Sequence, residues 1–144
     1  MYDFSWKYAV VTGGSRGIGE AIVRRLVAER ISGVAVLDVL DGAAYAQEID
    51  PDGEKILFIR CNITDRADVK AAFQRIYERF GRVDFMINNA GIARDAMFHK
   101  MSDEQWDQVI GVDLSGAYNC TRQVINSMRQ QEFGRIIFIS SIAI

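Results

Sequence analysis

The sequence predicts an α/β domain built on a doubly wound parallel sheet with helices on both faces. Three observations carry that prediction: five short apolar runs without polar alternation, amphipathic helical stretches between them, and a glycine-rich turn directly after the first run. Apolar runs that do not alternate suit strands covered on both sides, as in a parallel sheet. Strand and helix taken in turn along the chain then require right-handed crossovers.

The elements follow in order. The spacing predicts a first strand over 8–12, then a helix over 17–30 that places Ile18, Ala21, Ile22 and Leu26 on one face. A second strand over 34–37 precedes a short helix over 41–49, and a third strand covers 56–59. The helix over 65–80 carries Val69, Ala72, Phe73, Ile76 and Phe80 at helical spacing, with Thr64 or Asp65 to cap its start and Gly81 to close its end. A fourth strand is read over 83–87. A helix beginning at Ser102 has Gln105 three residues on, the pattern of a capping box. A longer helix over 114–131 leads into a fifth strand over 135–139.

The length of 144 residues fits one domain, 1–144, with a single core. Lys and Arg number 17 against 19 Asp and Glu, so no basic excess exists to neutralise phosphates along a nucleic acid, and no nucleic-acid partner is expected. No apolar run approaches the roughly 20 residues of a membrane span. The opening residues Met1 to Lys7 lack the basic start and apolar stretch of a signal peptide. Cys61 and Cys120 stand far apart beside a single histidine, which argues against a disulfide scaffold or a metal site and for a reducing cytoplasm.

The first strand runs into Thr12-Gly13-Gly14-Ser15-Arg16-Gly17-Ile18-Gly19. Glycines there allow a tight turn and close backbone approach, and the following helix start offers free N–H groups and partial positive charge to a diphosphate. The spacing is G-x-x-x-G-x-G rather than the common G-x-G-x-x-G; without a ligand the same string is simply a strand-to-helix turn. Asp38 ends the second strand, where a carboxylate accepts hydrogen bonds from ribose hydroxyls and repels a 2′-phosphate. That favours NAD over NADP. Arg16, in the turn, is the residue that would instead hold a 2′-phosphate, and Asp41 reads as a helix cap.

On these residues the chain resembles the short-chain dehydrogenase/reductase family over its whole length. The marks are the 12–19 turn, Cys61-Asn62-Ile63-Thr64-Asp65 after the third strand, Asn88-Asn89-Ala90-Gly91 after the fourth, Gly111-Val112-Asp113-Leu114-Ser115-Gly116, and the Ser140-Ser141 pair after the fifth. The resemblance implies a Rossmann-like fold whose cofactor contacts are Gly13, Ser15, Arg16, Gly17, Ile18, Gly19, Asp38, Asn62, Ile63, Asn89, Ala90 and Gly91. It assigns Asn62 and Ile63 to the adenine, and Asn89, Ala90 and Gly91 to backbone lying along the cofactor. Asn88 is given a structural role, bonding backbone between neighbouring strands. Ser141, with Ser140 as the weaker candidate, matches the serine that hydrogen-bonds the substrate oxygen. Asp113 stands where the family usually has asparagine, a residue acting largely through its main-chain carbonyl.

The family's catalytic Tyr-x-x-x-Lys has no counterpart, since Tyr8, Tyr45, Tyr77 and Tyr118 are followed four residues on by Thr12, Ile49, Gly81 and Arg122. Only Ile142, Ala143 and Ile144 follow Ser141. The expectation is therefore the N-terminal portion of the fold with its C-terminal part absent, inactive by itself; the alternatives are a non-catalytic dinucleotide-binding domain and a prematurely terminated product. The stretch 92–101 resembles that of 3-oxoacyl-thioester reductases of the acyl-carrier-protein and acetoacetyl-CoA kinds. The implied substrate is an alcohol, ketone or acyl thioester, and a full-length chain would form a homo-oligomer, dimer or tetramer. Met97, Phe98, Met101 and Trp106 are expected to pack in the core or a lid, with His99 and Arg129 at the surface.

Overall fold

In the computed structural model, which describes residues 2–141, the strands are β1 (Tyr8–Thr12), β2 (Gly33–Asp38), β3 (Ile56–Arg60), β4 (Phe85–Asn88) and β5 (Arg135–Phe138). The helices are α1 (Gly17–Ala28), α2 (Ala43–Ile49), α3 (Arg66–Phe80), α4 (Asp103–Val109) and α5 (Ala117–Gln130). All strand pairs are parallel, in the order β3-β2-β1-β4-β5. The order reverses between β1 and β4, and in open α/β sheets the crevice beyond the strand ends at such a point is where ligands sit.

Two apolar cores flank the sheet. Val23 of α1 and Tyr45 of α2 pack with Ala9, Val11, Val34 and Val36 on one face. On the other, Val69, Ala72, Phe73 and Ile76 of α3 and Cys120, Val124 and Met128 of α5 pack with Val10, Ala35, Leu37 and Met86. Helices therefore cover both faces, as predicted, and β1 has the predicted bounds. Asp65, not Thr64, caps α3, accepting from the N–H groups of Ala67 and Asp68. The capping box at Ser102 is formed in both directions.

Four expectations need correction. The buried side of α1 centres on Gly19 and Val23, while Ile18 is 64% exposed, because the helix lies closest to the turn that begins it. The cap position of α2 is Gly42, with no side-chain cap of its own, so Asp41 stands one residue before it. Of the two places expected for Met97, Phe98 and Trp106, core or lid, the core is ruled out: all three are exposed, Phe98 in a short 3-10 turn over Phe98–Lys100. The helices read as separate after Ser102 form one continuous run, because a seven-residue π-helical stretch, Ile110–Gly116, joins α4 to α5. Among the described residues no helix is long and apolar enough to cross a membrane.

Candidate nucleotide-binding site

A cleft of ≈ 330 Å³ opens at the C-terminal ends of β1, β2 and β4. Gly13, Arg16, Gly17, Ile18 and Gly19 line it from the turn, and Leu37 to Leu40 from the end of β2. Cys61, Asn62 and Ile63 follow β3, and Asn89, Ala90, Gly91 and Ile92 follow β4. Four chain segments far apart in sequence thus meet at the point where strand order reverses.

The turn is glycine-rich for two physical reasons. Gly17, the first residue of α1, has φ +57 and open space around its Cα, so its backbone faces the cleft without a side chain in the way. At Gly19 a Cβ would run into the carbonyl of Gly13 and lie 2.6 Å from Asn89 Nδ2, so only glycine lets the helix come this close. The first helical hydrogen bond is donated by Glu20 N to Arg16 O. The N–H groups of Gly17, Ile18 and Gly19 precede it and carry the positive end of a 12-residue helix. These features fit a diphosphate.

The walls are cross-tied. Gly13 N donates to Leu37 O at 2.8 Å, and Ser15 N donates to Asp38 Oδ2 at 3.0 Å. The Ser15 hydroxyl donates to Leu40 O at 2.9 Å, and the Tyr45 hydroxyl donates to Gly14 O at 2.6 Å. On the β4 side, Thr12 Oγ1 accepts from the N–H groups of Asn89 and Ala90, while Asn89 Nδ2 donates to the carbonyls of Thr12 and Gly13. Asn119, buried on α5, donates to Ile63 O and fixes the peptide after Ile63. Asn62 itself folds back: its side-chain oxygen accepts from Thr64 N and Thr64 Oγ1, and its N–H donates to Asp68.

Eleven of the twelve residues expected around a cofactor line this cleft: Gly13, Arg16, Gly17, Ile18, Gly19, Asp38, Asn62, Ile63, Asn89, Ala90 and Gly91. Ser15 is the exception, because its N–H and hydroxyl are turned to Asp38 and Leu40. Asp38 is 8% exposed rather than a solvated strand end, with Oδ1 accepting from Leu40 N and Oδ2 from Ser15 N. Asn89 lines the cleft as expected and also makes the backbone tie between strands that was expected of Asn88. Successive strand residues face opposite ways, so Asn88 Nδ2 reaches Thr121 on α5 while Asn89 ties the neighbouring strand. Asn88 Oδ1 is left buried without a partner among the described residues.

Asp113 lies in the π-helical stretch, exposed, and its carboxylate accepts from Ile92 N at 2.9 Å. Its side chain, not only its main chain, therefore steadies the segment after β4. Ser141 lies exposed beyond the end of β5 and outside the lining of the cleft. Sequence reasoning missed Tyr45 and Asn119, whose polar atoms act across 31 and 56 residues and leave no local pattern. Burial pushes the Tyr45 hydroxyl up to about 12. Burial, helped by the nearby Asp68 and Asp65, does the same to the Cys61 thiol at the cleft floor, to about 12; that thiol stays protonated and is no nucleophile near neutral pH.

The comparisons with known proteins agree with this geometry. A family model described as short chain dehydrogenase matches residues 7–144. The 3-oxoacyl-[acyl-carrier-protein] reductase FabG of Escherichia coli (strain K12) is 36% identical over 141 residues, covering 97% of this chain and 57% of that protein. The acetoacetyl-CoA reductase of Paracoccus denitrificans is 40% identical over 136 residues, covering 94% of this chain and 55% of that one. A crystal structure of a metagenomic short-chain oxidoreductase in complex with NADP superposes with a TM-score of 0.89 at 34% identity, over 97% of this chain and 64% of the other. The chain thus spans little more than half the length of the curated relatives it matches.

Proposed function

Because the chain belongs to the short chain dehydrogenase family, we propose that it carries the nucleotide-binding part of an NAD(P)-dependent oxidoreductase acting on a secondary alcohol or ketone, with a 3-oxoacyl thioester as the favoured substrate class. The observation that carries this reading is the cleft itself, in which helix-start N–H groups and a strand-end carboxylate face one space. The N–H groups of Gly17, Ile18 and Gly19 would hold the diphosphate, Asp38 the adenosine ribose, and Asn62 and Ile63 the adenine edge. When bound, the nicotinamide supplies the hydride exchange. Ser141 would hydrogen-bond the substrate oxygen, and Asp113 would hold the segment at Ile92 beside it.

The 144 residues contain no Tyr-x-x-x-Lys pair. Binding is therefore the activity proposed for these residues themselves, and turnover belongs to a protein that also supplies the proton-exchanging pair. The exposed stripe of Leu114, Tyr118 and Ile125 along one side of the long helix supports pairing between copies of the whole protein.

Asp38 supports NAD as the preferred cofactor, because its buried carboxylate is fixed where a 2′-phosphate would lie and like charges there repel. A second reading, NADP, is favoured by exposed Arg16 at the cleft and by the NADP in the solved relative. Titrating NADH and NADPH into the wild type and Asp38→Ala separates the two. The proposal expects NADH to bind at least about tenfold more tightly in the wild type, a difference of about 1.4 kcal/mol, and the gap to narrow in Asp38→Ala. Tighter binding of NADPH by the wild type, or a ratio unmoved by the substitution, removes Asp38 from that role.

A further inference from the structure

We infer that Tyr45 is a positioning residue for the anion-binding turn: its hydroxyl holds the Gly14 carbonyl away from the space where a diphosphate would lie. This rests on the nucleotide-binding reading of the cleft. A backbone cradle for an anion works only if its N–H groups face the ligand and its carbonyls do not, since a carbonyl oxygen pointing at phosphate is repelled. Four carbonyls of this turn are engaged, each by a named donor. Thr12 O and Gly13 O accept from Asn89 Nδ2 at 3.0 Å each, and Arg16 O accepts from Glu20 N at 3.2 Å. Gly14 O accepts from the Tyr45 hydroxyl at 2.6 Å. That last donor is the one that comes from α2, and glycine at position 14 has no side chain to restrain its own peptide.

Tyr45 is built for this task rather than merely filling space. It is 7% exposed, packs in the core between the sheet and α1, and has the Arg24 guanidinium 5.4 Å from its ring. Arg24 in turn bridges Glu20 on α1 and Glu48 on α2. The seven-residue α2 is thus clamped to α1, and its tyrosine reaches 31 residues back to the turn. Ser15, bonded to Asp38 and Leu40, ties the same turn to the end of β2. The ribose-facing carboxylate and the phosphate-facing turn are therefore held as one unit.

The test compares ADP, which carries the diphosphate, with adenosine, which does not, by calorimetric titration of the wild type and Tyr45→Phe. The expected result is a loss of about fivefold or more for ADP, the worth of one hydrogen bond, with adenosine affinity unchanged within about twofold. An unchanged ratio of ADP to adenosine affinity, or an equal loss for both, overturns the assignment and leaves the hydroxyl a purely structural group. A wild type that binds neither ADP nor NADH overturns the nucleotide reading and this one with it. Should Tyr45→Phe fail to fold, Ser15→Ala, which frees the same turn from Leu40, is put through the same pair of ligands and must show the same selective loss.

Discussion

β2 and β5 are both short runs of apolar residues in a parallel sheet, yet they live in different environments. All six residues of β2 are buried, whereas no residue of β5 is, and Ile137, Phe138 and Ile139 are 46%, 57% and 43% exposed. The cause is position. Among the described residues, of a chain that spans little more than half the length of its curated relatives, β2 lies between β1 and β3 with helices over both faces, while β5 pairs with β4. An apolar strand sequence states what a segment tolerates; its neighbours decide whether the area is taken from water. The candidate nucleotide cleft is built by the buried half of the sheet, and the candidate substrate serine stands beyond the exposed strand.

The largest effect that would sharpen this contrast is in β2. Leu37 is fully buried, so Leu37→Ala should cost about 3 kcal/mol in urea unfolding, through lost transfer energy and a cavity. A cost below about 1 kcal/mol would show that the region relaxes and is not the rigid half. Alkaline pH should act next, and again on the buried half. Burial raises the thiols of Cys61 and Cys120 from 9.0 to about 12, and the hydroxyl of Tyr45 from 10.0 to about 12. The native state therefore keeps protons that the unfolded chain releases. The stability from these groups is complete below about pH 9 and is lost as pH rises toward about 12. Urea midpoints taken across that range should fall steadily; a flat profile would contradict the burial. The smallest effect belongs to β5, where Ile137→Ala should cost under about 1 kcal/mol, as for a half-exposed side chain. A cost matching that of Leu37→Ala would erase the distinction.

Much of this was legible in the sequence because the signals are local. The bounds of β1, the Asp65 cap, the capping box at Ser102 and the glycine turn each follow from residues within a few positions of one another. What was not legible depends on distant partners. Which of Asn88 and Asn89 ties the neighbouring strand is settled by the side each faces, with Thr121 on one side and the Thr12 turn on the other. The π-helical stretch has no breaker to announce it; Gly111 and Gly116 read equally well as helix ends. Tyr45 has no local pattern to mark it beyond the missing lysine at position 49, and its hydroxyl matters only because the fold brings Gly14 to it. The exposure of Phe98 and Trp106 follows from the same rule as β5, since no other element among the described residues covers them.

In the proposed reading, four segments of the buried half form one nucleotide site, independent of β5. Amide hydrogen exchange of this chain with and without saturating NADH tests it most directly, because it reads each segment separately. Slower exchange is expected in 13–19, 37–40, 61–63 and 89–92, with 135–138 unchanged. Protection confined to β5, or no protection in the turn at 13–19, would contradict it.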